Sequence, residues 1–144
     1  MDIRIAAYAV VTDEDGRMLL PRLTAEFNNR WTLPGGGTDP GEDPNDAVVR
    51  EVFEESGYEV TVDELLGIDN MVIPGEKRLK RSDRYGVPMQ SLRIIYRAHI
   101  TGGELTPEAD GSTDDVAWFA PEEIDRLDRV ELIDTARRWA GLLN

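Results

Sequence analysis

Cysteine is absent from this chain of 144 residues, and histidine occurs once, at position 99. The first absence excludes disulfides, thiolate metal sites and a cysteine nucleophile. His99 falls on the polar face of an alternating segment, where a solvated imidazole is the ordinary reading. Positive charge is scarce too: 16 Lys and Arg against 29 Asp and Glu leave a formal charge of −13. That balance argues against a binder of nucleic-acid polymers, which presents a basic surface. No apolar run approaches a membrane span, and Met1-Asp2-Ile3-Arg4 lacks the pattern of a signal peptide. The expectations are one domain over residues 1–144, a cytoplasmic location and no membrane partner. An anionic substrate would be repelled by such a chain unless cations bridge the two or the few basic residues gather at the site.

What is present is a run of three glycines, Gly35-Gly36-Gly37, feeding a helix predicted from Pro44 to about Ser56. Asp43 suits the N-cap, Pro44 the first helical position and Gly57 the left-handed stop. On a wheel of ~100° per residue, Val48, Val49, Val52 and Phe53 gather on the core side. Glu51, Glu54 and Glu55, at three- and four-residue spacings, gather on the other, with Ala47 one turn before Glu51 leaving space. Acids on a helix are most often a solvated face. A set of oxygen ligands beside a backbone that can approach closely is the alternative.

The wider pattern decides between them. Gly36, Glu42, and then Arg50-Glu51-Val52-Phe53-Glu54-Glu55-Ser56-Gly57-Tyr58 resemble the Nudix box, G-x5-E-x7-R-E-U-x-E-E-x-G-U, where U is a bulky apolar residue. All of its fixed residues match, a coincidence on the order of one in a billion at a given start. Trp31-Thr32-Leu33-Pro34-Gly35 also resembles the usual approach to the box, and Tyr58 stands where an aliphatic is more usual. The resemblance implies an α/β fold: an α/β/α sandwich with a central mixed β-sheet and the box as a loop–helix–loop. It also implies a pyrophosphohydrolase that uses Mg²⁺, with Mn²⁺ as a substitute, to cleave a nucleoside diphosphate derivative by water attack. ADP-ribose-like compounds and nucleoside triphosphates, oxidised ones included, are the substrate options. Glu51, Glu54, Glu55 and the carbonyl of Gly35 would hold the metal, with Arg50 and Glu42 as scaffolding. A small-molecule nucleotide is the implied partner, and a homodimer is one implied assembly. The alternative is a non-catalytic module of the same fold that binds nucleotide and regulates a partner.

The general base stays open between Glu51 and an acid of the 110–115 segment, where Asp110, Asp114 and Asp115 stand and Asp114 is the leading choice. Lys77, Arg78, Lys80, Arg81 and Arg84 crowd one loop and either dangle in solvent or draw phosphates in. Trp31, Tyr8, Phe27 and Tyr85 could stack on a base or simply pack. Strands are expected over 3–12, 17–22, 31–33, 59–68 (continued past a bend at Asp69-Asn70 by 71–73), 90–101 and 113–120. A short helix from Pro121 and a terminal helix over 130–143 follow, the latter burying Leu132, Ile133, Ala136, Trp139 and Ala140.

Overall fold

A computed structural model describes residues 1–143. The elements follow in the order β1 (Asp2–Val11), β2 (Met18–Leu23), β3 (Gly35–Gly37), α1 (Pro44–Ser56), β4 (Tyr58–Ile73), β5 (Met89–Gly103), β6 (Thr113–Phe119), α2 (Pro121–Ile124) and α3 (Glu131–Trp139). Strand alternation sends β1 into two cores at once. Ala7, Ala9 and Val11 meet Ala47, Val48 and Val52 of α1 on one face. Val10, on the other, joins Ile95, Ile124, Leu132, Ile133 and Ala136. Helices therefore cover both faces of a four-stranded mixed sheet of order β3-β1-β5-β4, in which β1 runs parallel to β5 and antiparallel to β3. β2 and β6 form a separate antiparallel pair. Fully burying Val48 or Val52 stabilises the docked helix by about 1.5–3 kcal/mol each.

Four expectations are corrected by this packing. Trp31 makes only isolated bridges, to Arg22 and Arg129, and the strand lies instead at Gly35–Gly37 opposite Ala6 to Tyr8. The open edge of β1 recruits those glycines, which have no strand propensity of their own. The expected bend at Asp69-Asn70 is absent, because both residues stay in the ladder opposite Arg93 and Leu92. Register shifts at Glu59/Val60, Val62/Glu64 and Leu65/Gly67 take up the curvature upstream. The core face of α1 is also rotated from the wheel estimate: Ala47 and Glu55 are buried with Val48 and Val52, while Phe53 is 52% exposed. The terminal helix is shorter than expected, and its buried stripe exchanges Trp139 for Arg137, which is held by Asp125 and Asp134 at 3.0 Å each.

Candidate active site

α1 begins and ends where its residues dictate. The Asp43 carboxylate accepts from the N–H of Asn45 at 2.8 Å, Pro44 occupies the first turn, and Gly57 stops the helix at φ 78°. Between those ends the rotation of the helix separates the fates of its glutamates. Glu55 points inward, 3% exposed, and accepts a 2.8 Å hydrogen bond from the N–H of Gly35. Burial raises its carboxyl well above the ordinary value, against that N–H and with the neighbouring charges of Glu51, Glu108 and Glu54 adding to the rise. Glu51, partly buried, is shifted upward for the same first reason, with Arg50 opposing. Glu54 is the open one, its side chain 45% exposed.

Arg50 binds these acids into one network. Its Nε and Nη2 donate to the two oxygens of Glu42, both at 2.9 Å, a bidentate clasp. Nη1 donates to Glu51 at 3.1 Å and to Glu54 at 3.2 Å, and Nη2 also reaches the carbonyl of Gly37 at 3.2 Å. Arg50 thus grips Glu42 more closely than it does Glu54. Arg50 and the Asp39 N–H pull the Glu42 carboxyl down from 4.5 to about 2. A depressed carboxyl stabilises the fold fully above its unfolded pKa and loses that contribution as pH falls through the folded one. The stability difference between the wild type and Glu42→Gln, from urea unfolding, is expected to be widest above 4.5 and to close toward pH 2. A difference independent of pH contradicts the clasp.

The glycines supply space rather than flexibility. A Cβ at Gly36 would lie 2.8 Å from the Glu51 carboxyl carbon, and one at Gly35 only 2.2 Å from the Ala7 carbonyl oxygen. The side-chain-free rim opens onto a cavity of about 470 Å³. Glu51 and Glu55 line it together with Arg4, Tyr8, Ser91 and Arg93, and Phe27, Met71 and Met89 add apolar surface. Among the described residues, no three Asp, Glu or His side chains already converge as a cation cage. Arg50 holds Glu51 and Glu54, and Glu55 is turned to Gly35, so each charge is met separately. The donor set nevertheless fits a hard divalent ion: it is all oxygen, crowded with like charge, and reached across a glycine that no larger residue could replace.

The NUDIX domain profile matches residues 2–139. The chain belongs to the Nudix family. A MutT-like protein of Streptomyces ambofaciens is 32% identical over 120 residues, covering 83% of this chain and 66% of that protein. A Bacillus subtilis protein named "Putative 8-oxo-dGTP diphosphatase" is 31% identical over 116 residues, covering 80% of this chain and 65% of its own length. The chain thus spans just under two thirds of these relatives. Among solved structures, a NUDIX hydrolase from Nitrosomonas europaea superposes with a TM-score of 0.75 at 22% identity, covering 97% of this chain and 89% of that one. An ADP-ribose pyrophosphatase from Streptococcus suis does so at 0.64 and 24%, covering 96% and 87%. At such identities the structural likeness speaks for the fold.

The Nudix box therefore lies where the sequence put it, but several residues outside it do not join it. Asp114, the leading choice for the base, pairs with Arg22 at 2.9 Å and lines neither the cavity nor the groove beside Glu54. Asp115 accepts from the N–H of Val116. The acid that the fold does bring to the cluster is Glu108, from the loop before β6, whose charge raises both Glu51 and Glu55. It shares a groove with Glu54, Gly57 and Asp110, and its carboxylate accepts from the Thr113 hydroxyl at 2.9 Å. Residue type was the available signal; no periodicity marks an acid in a loop. Arg78 and Arg84 are likewise engaged elsewhere, by Asp2 at 2.6 Å each, and Arg81 is held by Glu26. The Asp2 pairs fasten the 74–88 loop to the start of β1, the Glu26 pair ties it to the segment after β2, and none of the three arginines lines the cavity. Trp31 packs edge-on against Phe119 at 4.7 Å and does not line the cavity; Tyr8 and Phe27 do. Tyr58, the unusual residue of the Nudix box, packs edge-on against Trp118 and accepts a 3.3 Å bond from its indole N–H.

Proposed function

We propose that the chain is a divalent-cation-dependent pyrophosphohydrolase that cleaves the phosphoanhydride of a nucleoside diphosphate derivative. The observation that carries this reading is that Glu51 and Glu55 line one cavity together with the side-chain-free glycines Gly35 to Gly37. Mg²⁺, or Mn²⁺ in its place, held by Glu51, Glu54, Glu55 and the Gly35 carbonyl, would neutralise diphosphate charge and acidify a water there. The protein's own part is orientation and proton transfer. Arg50 fixes Glu51 and Glu54 against Glu42, so the acids do not swing apart on their like charge. Glu51, lining the cavity beside Gly36, is placed to accept a proton from the attacking water. Glu108 replaces Asp114 as the further acid within reach of the cluster. The substrate options are ADP-ribose-like diphosphates and nucleoside triphosphates, oxidised ones included, in keeping with the names carried by the relatives. A cytoplasmic setting accompanies this reading.

The test is a panel of ADP-ribose, a nucleoside diphosphate sugar, dGTP and 8-oxo-dGTP, each assayed with Mg²⁺ and with chelator. At least one is expected to release a nucleoside monophosphate only with the cation. Binding without turnover across the panel would favour the non-catalytic module.

A further inference from the structure

Negative charge dominates this chain, and its arginines are largely spoken for. Arg22 is taken by Asp114, Arg78 and Arg84 by Asp2, Arg97 by Glu64, and Arg93 by Asp69. Arg4 differs. It lines the catalytic cavity, and no acidic side chain pairs with it among the described residues. The acid nearest along its own strand face, Asp2, is already gripped by both Arg78 and Arg84. A guanidinium left free inside the pocket of an acidic protein is a ready counter-charge for an anion.

Its placement says which anion. On β1, Arg4 lies two residues before Ala6, the partner of Gly37, and its Nη2 is 3.5 Å from where a Gly37 Cβ would stand. The adjacent Gly36 would aim its Cβ at the Glu51 carboxylate instead. Successive residues of a strand face opposite ways, so the rim has Glu51 on one side and Arg4 on the other. Both groups line one cavity, and because the rim carries no side chains, a single ligand can cross it and touch both. Across the ladder from Arg4 stands Ser91, 2% exposed, which lines the same cavity. A planar fork of N–H donors matches the oxygens of a phosphate better than any neutral group does.

We propose that Arg4 forms an anion subsite that binds the substrate phosphate on the far side of the glycine rim from Glu51. This rests on the hydrolase reading above and adds a residue outside the box to it. The probe is adenosine 5′-(α,β-methylene)diphosphate, whose P–C–P bridge resists hydrolysis, titrated with Mg²⁺ by calorimetry into the wild type, Arg4→Gln and Arg4→Lys. Arg4→Gln is expected to weaken binding at least about tenfold, with Arg4→Lys between, since a charge-assisted bond is lost in one and its fork in the other. Adenosine itself, without phosphate, should bind all three alike. With a substrate that turns over, KM should rise in step while kcat stays within about threefold. Equal affinity of the wild type and Arg4→Gln for the probe overturns the subsite, whatever the turnover. Turnover with an unchanged KM in Arg4→Gln overturns it and leaves the hydrolase standing. Arg4-dependent binding with no turnover on any substrate sinks the hydrolase and leaves the subsite. No binding of the probe by the wild type overturns the subsite, and no turnover of any panel member besides rejects the hydrolase as well.

Discussion

Glu51→Gln lowers kcat by roughly 10²–10⁴-fold on whichever diphosphate the wild type cleaves, with a smaller change in KM. The expectation follows from where Glu51 sits. It lines the cavity, takes one bond from Arg50 at 3.1 Å, and fills the space that Gly36 leaves open. Glutamine keeps the shape but cannot accept a proton or hold a hard cation with full charge. The same assay ranks the other acids. Glu108→Gln should lose activity because its charge reaches Glu51 and Glu55. Asp114→Asn should stay near wild type, since that carboxylate serves Arg22 at the edge of the β2–β6 pair. Rapid-quench or steady-state kinetics on the three variants would decide, and wild-type rates for Glu51→Gln would remove the residue from the chemistry.

Arg50→Ala is the second large effect. The substitution deletes the bidentate clasp on Glu42 and the bonds to Glu51, Glu54 and the Gly37 carbonyl together. Glu42, Glu51 and Glu54 then lose the one guanidinium they share, and their orientations are no longer set. Loss of an outer partner of this kind costs about 10–100-fold in metal affinity or activity. The stability change should be small by comparison, because the arginine side chain is 29% exposed and solvent screens part of its interactions. Arg50→Lys should recover little, because an ammonium cannot reproduce two parallel bonds to Glu42. Titrating Mn²⁺ into the wild type and both variants checks this, and equal affinities would reduce Arg50 to a surface residue.

These residues also show what could be seen before any coordinates. The limits of α1 were legible because Asp43, Pro44 and Gly57 each act locally, within a turn of their own positions. The α/β architecture was legible because the alternation in β1 and β5 persists over long runs. The strand at Gly35–Gly37 was not, since its only cause is the vacant edge of β1. Nor was the inward turn of Glu55, which depends on how α1 rolls against Ala7 and Ala9 and on the Gly35 N–H that waits for it. The basic loop misled for a related reason. A cluster of arginines in sequence says nothing about acids far along the chain, and Asp2 and Glu26 captured three of them. Arg4 shows the converse. Nothing in the sequence around it marks it out, and only the fold shows that it lines the cavity with Tyr8.

The central claim is that Glu51, Glu54 and Glu55 hold a divalent cation against a diphosphate. Mn²⁺ binding followed by electron paramagnetic resonance, with the methylene diphosphate present, tests it most directly. The wild type should bind Mn²⁺ and a Glu51→Gln/Glu55→Gln variant of unchanged circular dichroism should bind far less. Equal uptake by the two proteins, or none by either, would contradict the account.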